Sequence, residues 1–350
     1  MSSIRFSAGR LQRKPASTTA EQTEHRDIIV EGDIVRFLAD QGCLASEITP
    51  YTDGVASRNF RAIGPADLDL TVRCDFRRPL DKVREDRMYA DLASLRGISV
   101  PRGPWIDGHI RSVAATARPT IAGVSLAQLE AFQLPEPSRI GEMLAALHKS
   151  APASADRRFF YAGLLDSSDP LWESFSHARA AFRHHPGLSE LIERATARLE
   201  RGASRLLATT DMPRCMIHGD FNPPNILASG EELILIDWEK ACAGYAIADL
   251  VQAIYYFSAW YGRHGLPFAA AFMQRYRKTH DVRPSILDAW LSCFPAFIFL
   301  RDTVSASLQP LGPVGRMQLA RFQAYLRNDS APRFRYFVEN EPAIRHAVLG

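Results

Sequence analysis

The sequence has few cysteines, in an odd number and without a regular spacing. The five stand at positions 43, 74, 215, 242 and 293, and no two form a CxxC pair. This pattern favours a reducing environment, so we expect a cytoplasmic protein. We interpret Cys215 and Cys242, which flank the polar motif described below, as small apolar fillers rather than reactive thiols.

Long hydrophobic runs and a strong net charge are also lacking. No apolar run approaches the roughly 18 residues that span a bilayer, so we predict no membrane segment. The net charge is only +3, and Lys and Arg are scattered without interleaved aromatic residues, so we expect no nucleic-acid partner. With 350 residues and 46% hydrophobic content, the chain can bury a large core and is predicted to form two lobes.

The first 28 residues are rich in Ser, Thr and Arg and contain no acidic residue before Glu21. We predict that residues 1–28 form a disordered basic tail. A mitochondrial targeting signal has the same bias and stays open as an alternative, although the few apolar residues there make a poor amphipathic face.

Sequence periodicity predicts several elements along the chain. Asp33 is predicted to cap a helix that runs to Gln41. Residues 110–115 are predicted to form a strand, whereas residues 151–187 are expected to be irregular. Apolar positions at helical spacing predict a helix that ends at His148, which we interpret as a packed structural histidine.

The most informative stretch is residues 214–250, which read RCMIHGDFNPPNILASGEELILIDWEKACAGYAIADL. A short apolar strand leads into His218 and Asp220, and Asn225 follows five residues after Asp220. A turn and a second apolar strand then end at Asp237. The pattern predicts that a hairpin folds Asp237 back onto Asn225.

This spacing suits phosphoryl transfer, which needs a carboxylate beside the attacking hydroxyl and oxygen ligands for magnesium. We predict Asp220 as the catalytic base, and Asn225 and Asp237 as ligands of Mg²⁺, a cation that prefers hard oxygens and few protein ligands. A surface loop with ordinary polar turn residues is the alternative. It would require the order, the spacing and the apolar run to coincide by accident.

HGDFNPPN resembles the catalytic loop H-G-D-x-x-x-x-N of the aminoglycoside phosphotransferase and choline kinase family, relatives of protein kinases. IDWE resembles the metal-binding segment of that family. The resemblance implies an α+β, protein-kinase-like fold with two lobes. A small β-rich N-lobe would cover residues 29–118, a larger helical C-lobe would cover residues 119–350, and ATP with Mg²⁺ would lie in the cleft.

The resemblance also implies two residues that brace the loop. Asp249 resembles the buried aspartate that the family uses for this purpose, and His218 is interpreted as a hydrogen-bonding brace rather than a catalyst. A plain helix N-cap remains the alternative for Asp249.

The nucleotide site is expected in the N-lobe. Residues 48–64 read as a hairpin whose turn, with Gly54, can offer backbone N–H groups to phosphates. Ser57 is similar to the serine of the loop in the family. Arg73 stands where the kinase fold expects a phosphate-binding lysine, and Glu85, on the apolar face of a helix predicted over residues 81–96, is its expected partner. The alternatives are a plain hairpin, a solvent-facing Arg73 and an exposed Glu85.

The predicted function is an ATP- and Mg²⁺-dependent phosphotransferase that acts on a hydroxyl, or less readily an amine, of a small molecule. The alternatives are an inactive kinase-like nucleotide-binding regulator and an aminoglycoside-type antibiotic phosphotransferase. Residues 251–309 contain three acidic and six Lys or Arg residues. That balance does not favour a polycation, so we predict an uncharged, zwitterionic or weakly charged acceptor such as a sugar, an amino alcohol or a hydroxy amino acid.

The stretch after Leu250 is densely aromatic: Tyr255, Tyr256, Phe257, Trp260 and Tyr261. Choline kinases use aromatic walls to hold a quaternary ammonium by cation–π attraction. A plain hydrophobic core is the other interpretation of these rings. The oligomeric state stays open.

Overall fold

The computed structural model describes residues 29–51, 57–75, 106–111, 113–130, 135–150, 170–206, 214–307 and 312–350. Within these ranges the chain forms an antiparallel sheet near its N-terminus and a mainly helical remainder. The apolar side chains separate into two clusters, one under the sheet and a much larger one among the helices. The predicted two-lobed α+β architecture is therefore confirmed.

Among the described residues the N-lobe sheet has five strands: β1 (Glu47–Pro50), β2 (Ser57–Gly64), β3 (Leu68–Asp75), β4 (Ile106–Ile110) and β5 (Val113–Pro119). Their spatial order is β1-β2-β3-β5-β4, and each neighbouring pair is antiparallel. Phe60, Val72 and Ala117 lie opposite one another on β2, β3 and β5 and are fully buried on one face of the sheet. Helix α1 (Glu31–Asp40) contributes Ile34 and Leu38 to the same core.

Two predicted boundaries in this lobe are wrong. Helix α1 starts at Glu31 with Val30 as its N-cap, and Asp33 instead accepts a hydrogen bond from the Val30 N–H at 2.9 Å. Asp33 thus takes the reciprocal acidic position of a capping box. The strand predicted over 110–115 is interrupted, because Arg111 adopts a positive φ of 56° at the turn between β4 and β5.

The C-lobe contains eight helices among the described residues: α2 (Pro137–Ser150), α3 (Pro170–Phe182), α4 (Pro186–Leu206), α5 (Ala246–Trp260), α6 (Gly265–Arg277), α7 (Pro284–Ser307), α8 (Gly312–Tyr325) and α9 (Ala331–Leu349). Five short strands accompany them: β6 (Val124–Ser125), β7 (Cys215–Ile217), β8 (Ile226–Ser229), β9 (Glu232–Leu235) and β10 (Cys242–Gly244). The expectation that 151–187 is irregular is wrong for α3, and residues 151–169 lie outside the described ranges.

Helix α5 is the centre of the C-lobe. Its residues from Ile247 to Ser258 are buried without a break, which indicates a helix enclosed on all sides. It packs against α6, α7 and α9. None of the helices in the described ranges is long and apolar enough to cross a membrane.

The crossing of α4 and α7 depends on Gly202. A Cβ placed there would lie 1.9 Å from Cys293 Sγ, whereas a Cβ at Gly187 in the same helix would meet nothing within 4 Å. Gly202→Ala should lower the free energy of unfolding by about 1–3 kcal/mol through overpacking. Gly187→Ala should change it by less than about 1 kcal/mol, in the stabilising direction. Urea denaturation measures both.

The Cys293→Ala background provides the control for this contact, because it removes the sulfur that the new methyl group would strike. In that background the cost of Gly202→Ala should shrink. An equal cost in both backgrounds would contradict the proposed clash.

Candidate active site

Two strands and a hairpin set the positions of the predicted catalytic residues. β7, which pairs antiparallel with β10, leads into the loop that carries Asp220. β8 and β9 form the predicted hairpin, which begins directly after Asn225 and ends shortly before Asp237. The Ile236 N–H donates to the Asn225 carbonyl oxygen at 2.9 Å. The hairpin pairing therefore extends one position further and places Asn225 opposite Ile236, the residue before Asp237.

Asp249 holds the start of this loop from below. Its carboxylate is fully buried and accepts hydrogen bonds from the His218 N–H at 2.6 Å and the Gly219 N–H at 2.8 Å. The buried ring of His148 lies against the same carboxylate, with Nε2 at 3.3 Å from Oδ2. The N-cap of α5 is Tyr245, so the interpretation of Asp249 as a helix N-cap is wrong.

His218 is enclosed by backbone and by an aromatic ring. Its Nε2–H donates to the Ile236 carbonyl oxygen at 2.9 Å, and its Nδ1 accepts from the Asp220 N–H at 3.2 Å. These partners assign the neutral Nε2–H tautomer. The ring is fully buried, with its centroid 4.7 Å from that of Trp238. Both ring nitrogens are engaged by the backbone, which suits the predicted brace and leaves no nitrogen for proton transfer to a substrate.

Gly219 occupies a position that only glycine fits. Its φ is +76°, a left-handed conformation in which a side chain is strained. A Cβ there would also lie 2.5 Å from the backbone carbonyl oxygen of Lys240. The close approach of these two backbones brings the Lys240 turn alongside the loop.

The Asp220 carboxylate has a partner on each oxygen. Oδ2 accepts from Lys240 Nζ at 2.7 Å, and Oδ1 accepts from Gln252 Nε2 at 3.1 Å. Burial alone would raise the pKa of Asp220, but the attraction of Lys240 and Arg301, together with the hydrogen bond from Lys240, outweighs burial and lowers the pKa to about 2. The carboxylate is therefore ionised at neutral pH and can accept a proton.

Asn225 presents an oxygen in a defined direction. Its Nδ2 donates to the Asp220 carbonyl oxygen at 2.9 Å, and its backbone N–H donates to Asn222 Oδ1 at 3.2 Å. Because the amide nitrogen is engaged, the amide oxygen Oδ1 is left as the atom that would bind a cation. An amide oxygen and a carboxylate such as that of Asp237 are hard oxygen donors, the type of ligand that Mg²⁺ prefers.

Asp237 has an unusual backbone conformation and a partner from the other lobe. Its φ and ψ are 63° and 60°, a left-handed conformation that is uncommon outside glycine and recurs at functional sites. Arg73 Nη1, from β3, donates to Asp237 Oδ1 at 3.1 Å. Burial would raise the pKa of Asp237, but attraction to Arg73 and Lys240 lowers it. The pair links the N-lobe sheet to the hairpin of the C-lobe.

Of the remaining residues predicted to bind the nucleotide, the structure describes Ser57 but not Gly54 or Glu85. Ser57 is the first residue of β2, where it is paired with Asp75. Gly54 and Glu85 lie outside the described residues, so the predicted contact between Arg73 and Glu85 stays a prediction. The structure brings Arg73 together with Asp237 rather than leaving it in solvent.

Sequence reasoning missed Lys240 and Gln252, the two partners of Asp220. Gln252 is a fully buried polar residue on the otherwise apolar face of α5, three positions after Asp249, so both side chains point toward the loop. Lys240 follows Asp237 by three positions in a short 3₁₀ turn. Two features of the sequence could have indicated them: Gln252 is a polar residue inside an apolar helix, and Lys240 is a cation close to a predicted metal ligand.

The aromatic residues of α5 are part of the core. Tyr255, Tyr256 and Trp260 pack inside the lobe, and the guanidinium of Arg333 lies 4.3 Å from the ring centroid of Tyr256 and 5.3 Å from that of Trp260. Arg333 is only 4% exposed and pairs with Asp329. A cation of the chain itself thus covers these ring faces, which favours the core interpretation over a quaternary-ammonium site.

Comparison with known sequences identifies the family. The model of the phosphotransferase enzyme family matches residues 47–286. The chain belongs to this family. Among its curated relatives, homoserine kinase of Parvibaculum lavamentivorans (strain DS-1 / DSM 13023 / NCIMB 13966) is 28% identical over 201 residues, which cover 55% of this chain and 59% of that protein.

A second relative, homoserine kinase of Gluconobacter oxydans (strain 621H), is 31% identical over 186 residues, or 50% of this chain and 52% of that protein. The chain therefore matches only somewhat more than half the length of these two family members. Among solved structures, a thermostable mutant of aminoglycoside phosphotransferase APH(4)-Ia in a ternary complex with ADP and hygromycin B has a TM-score of 0.58 at 14% identity, covering 85% of this chain and 99% of that chain. This likeness establishes the kinase-like fold.

Asp249→Asn tests the hydrogen bonds that hold the loop. The substitution replaces one accepting oxygen by an amide group, so a buried backbone N–H of the loop loses its partner. We expect the free energy of unfolding to fall by about 1–3 kcal/mol, measured by urea denaturation. Asp281→Asn, at an exposed position outside the loop, is the matched control and should change little. Equal effects of the two substitutions would argue against the role of Asp249.

Proposed function

We propose that the protein is an ATP- and Mg²⁺-dependent kinase that transfers a phosphoryl group to a hydroxyl group of a small molecule. The observation that carries the proposal is the ionised, buried Asp220, held on a loop whose hairpin places Asn225 opposite Ile236, one residue before Asp237. A base next to a hard oxygen donor set is what phosphoryl transfer from a nucleotide requires.

In this proposal Asp220 accepts the proton of the acceptor hydroxyl as its oxygen attacks the γ-phosphorus. Gln252 holds one carboxylate oxygen at 3.1 Å, and the loop behind it is fixed by His218 and Asp249. A base that is already ionised and held in one orientation needs little rearrangement before the reaction. An amine is the weaker acceptor candidate.

Asn225 and Asp237 would hold Mg²⁺, which when bound would offset the negative charge of the nucleotide phosphates. Arg73 is proposed to bind phosphate oxygens, because its guanidinium already lies at the carboxylate that would carry the metal. Gly54, Ser57 and Glu85 complete the proposed nucleotide site. ATP is the proposed donor, since a family relative of the same fold was crystallised with ADP.

For the acceptor we propose a small hydroxy amino acid, with homoserine as the first compound to test. Two relatives are homoserine kinases, and homoserine is a zwitterion with one hydroxyl group. The excess of basic over acidic residues in 251–309 disfavours a polycation. An antibiotic acceptor is the second candidate, because APH(4)-Ia binds hygromycin B on the same fold.

An acceptor panel with Asp220→Asn as the blank tests the proposal. Wild-type protein with Mg²⁺ and ATP should phosphorylate homoserine or a similar hydroxy amino acid more efficiently than hygromycin B, kanamycin or choline. Asp220→Asn should lower turnover by roughly 10²–10⁴, because it removes the base, while nucleotide still binds.

The outcomes of the panel are distinct. Efficient use of aminoglycosides without activity on small hydroxy compounds would overturn the acceptor assignment alone. Unchanged turnover in Asp220→Asn would overturn the base. Nucleotide binding without transfer to any acceptor would favour the inactive regulator.

Asp237→Ala tests the metal site. Removing this carboxylate deletes one of two proposed oxygen ligands, so Mg²⁺-dependent turnover should fall by about a hundredfold or more, and the Mg²⁺ concentration for half-maximal rate should rise. A magnesium titration of initial rates at fixed ATP measures both. Full wild-type activity in excess chelator would contradict the proposed role of the metal.

A further inference from the structure

The ammonium group of Lys240 lies directly against the proposed base. Nζ is 2.7 Å from Asp220 Oδ2, and the two side chains are 22% and 12% exposed. Lys240 ends the short 3₁₀ turn that follows Asp237, and its backbone is packed against Gly219. The lysine thus stands beside the base and three residues from the proposed metal ligand.

The two partners of Asp220 restrict where an acceptor hydroxyl can approach. Gln252, which is fully buried, covers Oδ1, whereas Oδ2 faces the partly exposed Lys240. A carboxylate oxygen has two acceptor sites. An acceptor that donates its proton to Asp220 would therefore use the second site of Oδ2, next to the ammonium group.

This approach also fixes the surroundings of the transferred group. In an attack geometry the γ-phosphorus lies about 3–3.5 Å from the acceptor oxygen, so its oxygens come within reach of the same ammonium group. An ammonium group has three N–H donors, and the contact with Asp220 uses one of them. Negative charge spreads over the phosphoryl oxygens during transfer, and a cation at this position stabilises it.

We propose that Lys240 is a phosphate-binding residue that contacts the γ-phosphoryl group of the bound nucleotide while it stays beside Asp220. The inference rests on the proposed kinase function. In the step it assists, the bond from the acceptor oxygen to the γ-phosphorus forms and the bond to the bridging oxygen of ADP breaks. The acceptor proton passes to Asp220, and ADP leaves with the bridging-bond electrons.

The contact with the γ-phosphoryl group separates this role from a purely structural ion pair. ADP lacks that group, so Lys240 should affect the affinity for AMP-PNP and not the affinity for ADP. In Lys240→Met we expect AMP-PNP to bind about 10- to 100-fold more weakly in the presence of Mg²⁺, the usual loss for a charge-assisted hydrogen bond. ADP affinity should change less than twofold, and Lys240→Arg should keep part of the AMP-PNP affinity. Isothermal titration calorimetry measures all of these.

Two controls keep the experiment decisive. Lys278→Met makes the same change at an exposed position at the end of α6 and should leave both affinities unchanged. The second control is needed because Lys240→Met leaves the Asp220 carboxylate without its cation. The AMP-PNP and ADP affinities of Asp220→Asn are therefore compared with those of the double variant Asp220→Asn/Lys240→Met, in which no unpaired carboxylate remains.

The possible results separate the two proposals. An unchanged AMP-PNP affinity, or an equal loss for ADP and AMP-PNP, would overturn the role of Lys240 while leaving the kinase proposal standing. Failure of wild-type protein to bind either nucleotide would overturn both. Nucleotide binding with the expected selective loss, but without transfer to any acceptor, would support the lysine contact and reject the proposed activity.

Discussion

A buried carboxylate, Asp249, ties the loop that carries Asp220 to the central helix of the larger lobe. It accepts hydrogen bonds from two consecutive backbone amides, at 2.6 and 2.8 Å, in a place with no exposure to solvent. Two adjacent N–H groups can converge on one carboxylate only if the loop turns sharply, and Gly219 permits that turn with its positive φ. The position of Asp220 therefore depends on packing around α5 and not on the loop alone.

Opposite charges alternate across the cleft. Arg73 faces Asp237 and Lys240 faces Asp220, so each acidic group carries a cation within 3.1 Å. Charges that are even partly buried are costly unless they are paired, which explains how two carboxylates with lowered pKa values coexist in this site. In the proposed function, Arg73 and Lys240 are the two cations that would contact the phosphates of the nucleotide beside these carboxylates.

The helical lobe satisfies its own buried charge in the same manner. Arg333 is enclosed by the rings of Tyr256, Trp260 and Tyr325 and is held by Asp329. Cation–π attraction and the ion pair together offset the loss of hydration. Because the chain supplies this cation, the rings of Tyr256 and Trp260 already contact a cation within the lobe, which favours packing as the reason for the aromatic density of α5.

Local sequence pattern alone was enough to predict much of this molecule. The spacing from His218 to Asp237 indicated the loop, the hairpin and the strand end, and helical periodicity indicated α2, because these features depend on neighbours a few residues apart. The element boundaries near Val30 and Arg111 were predicted wrongly, because a single hydrogen bond sets the first and one positive φ sets the second. Only the tertiary structure brought Arg73 to Asp237, 164 residues away, and Lys240 and Gln252 to Asp220. Those partners depend on how strands and helices cross in space, and no periodicity along the chain encodes which side chain will meet a given carboxylate.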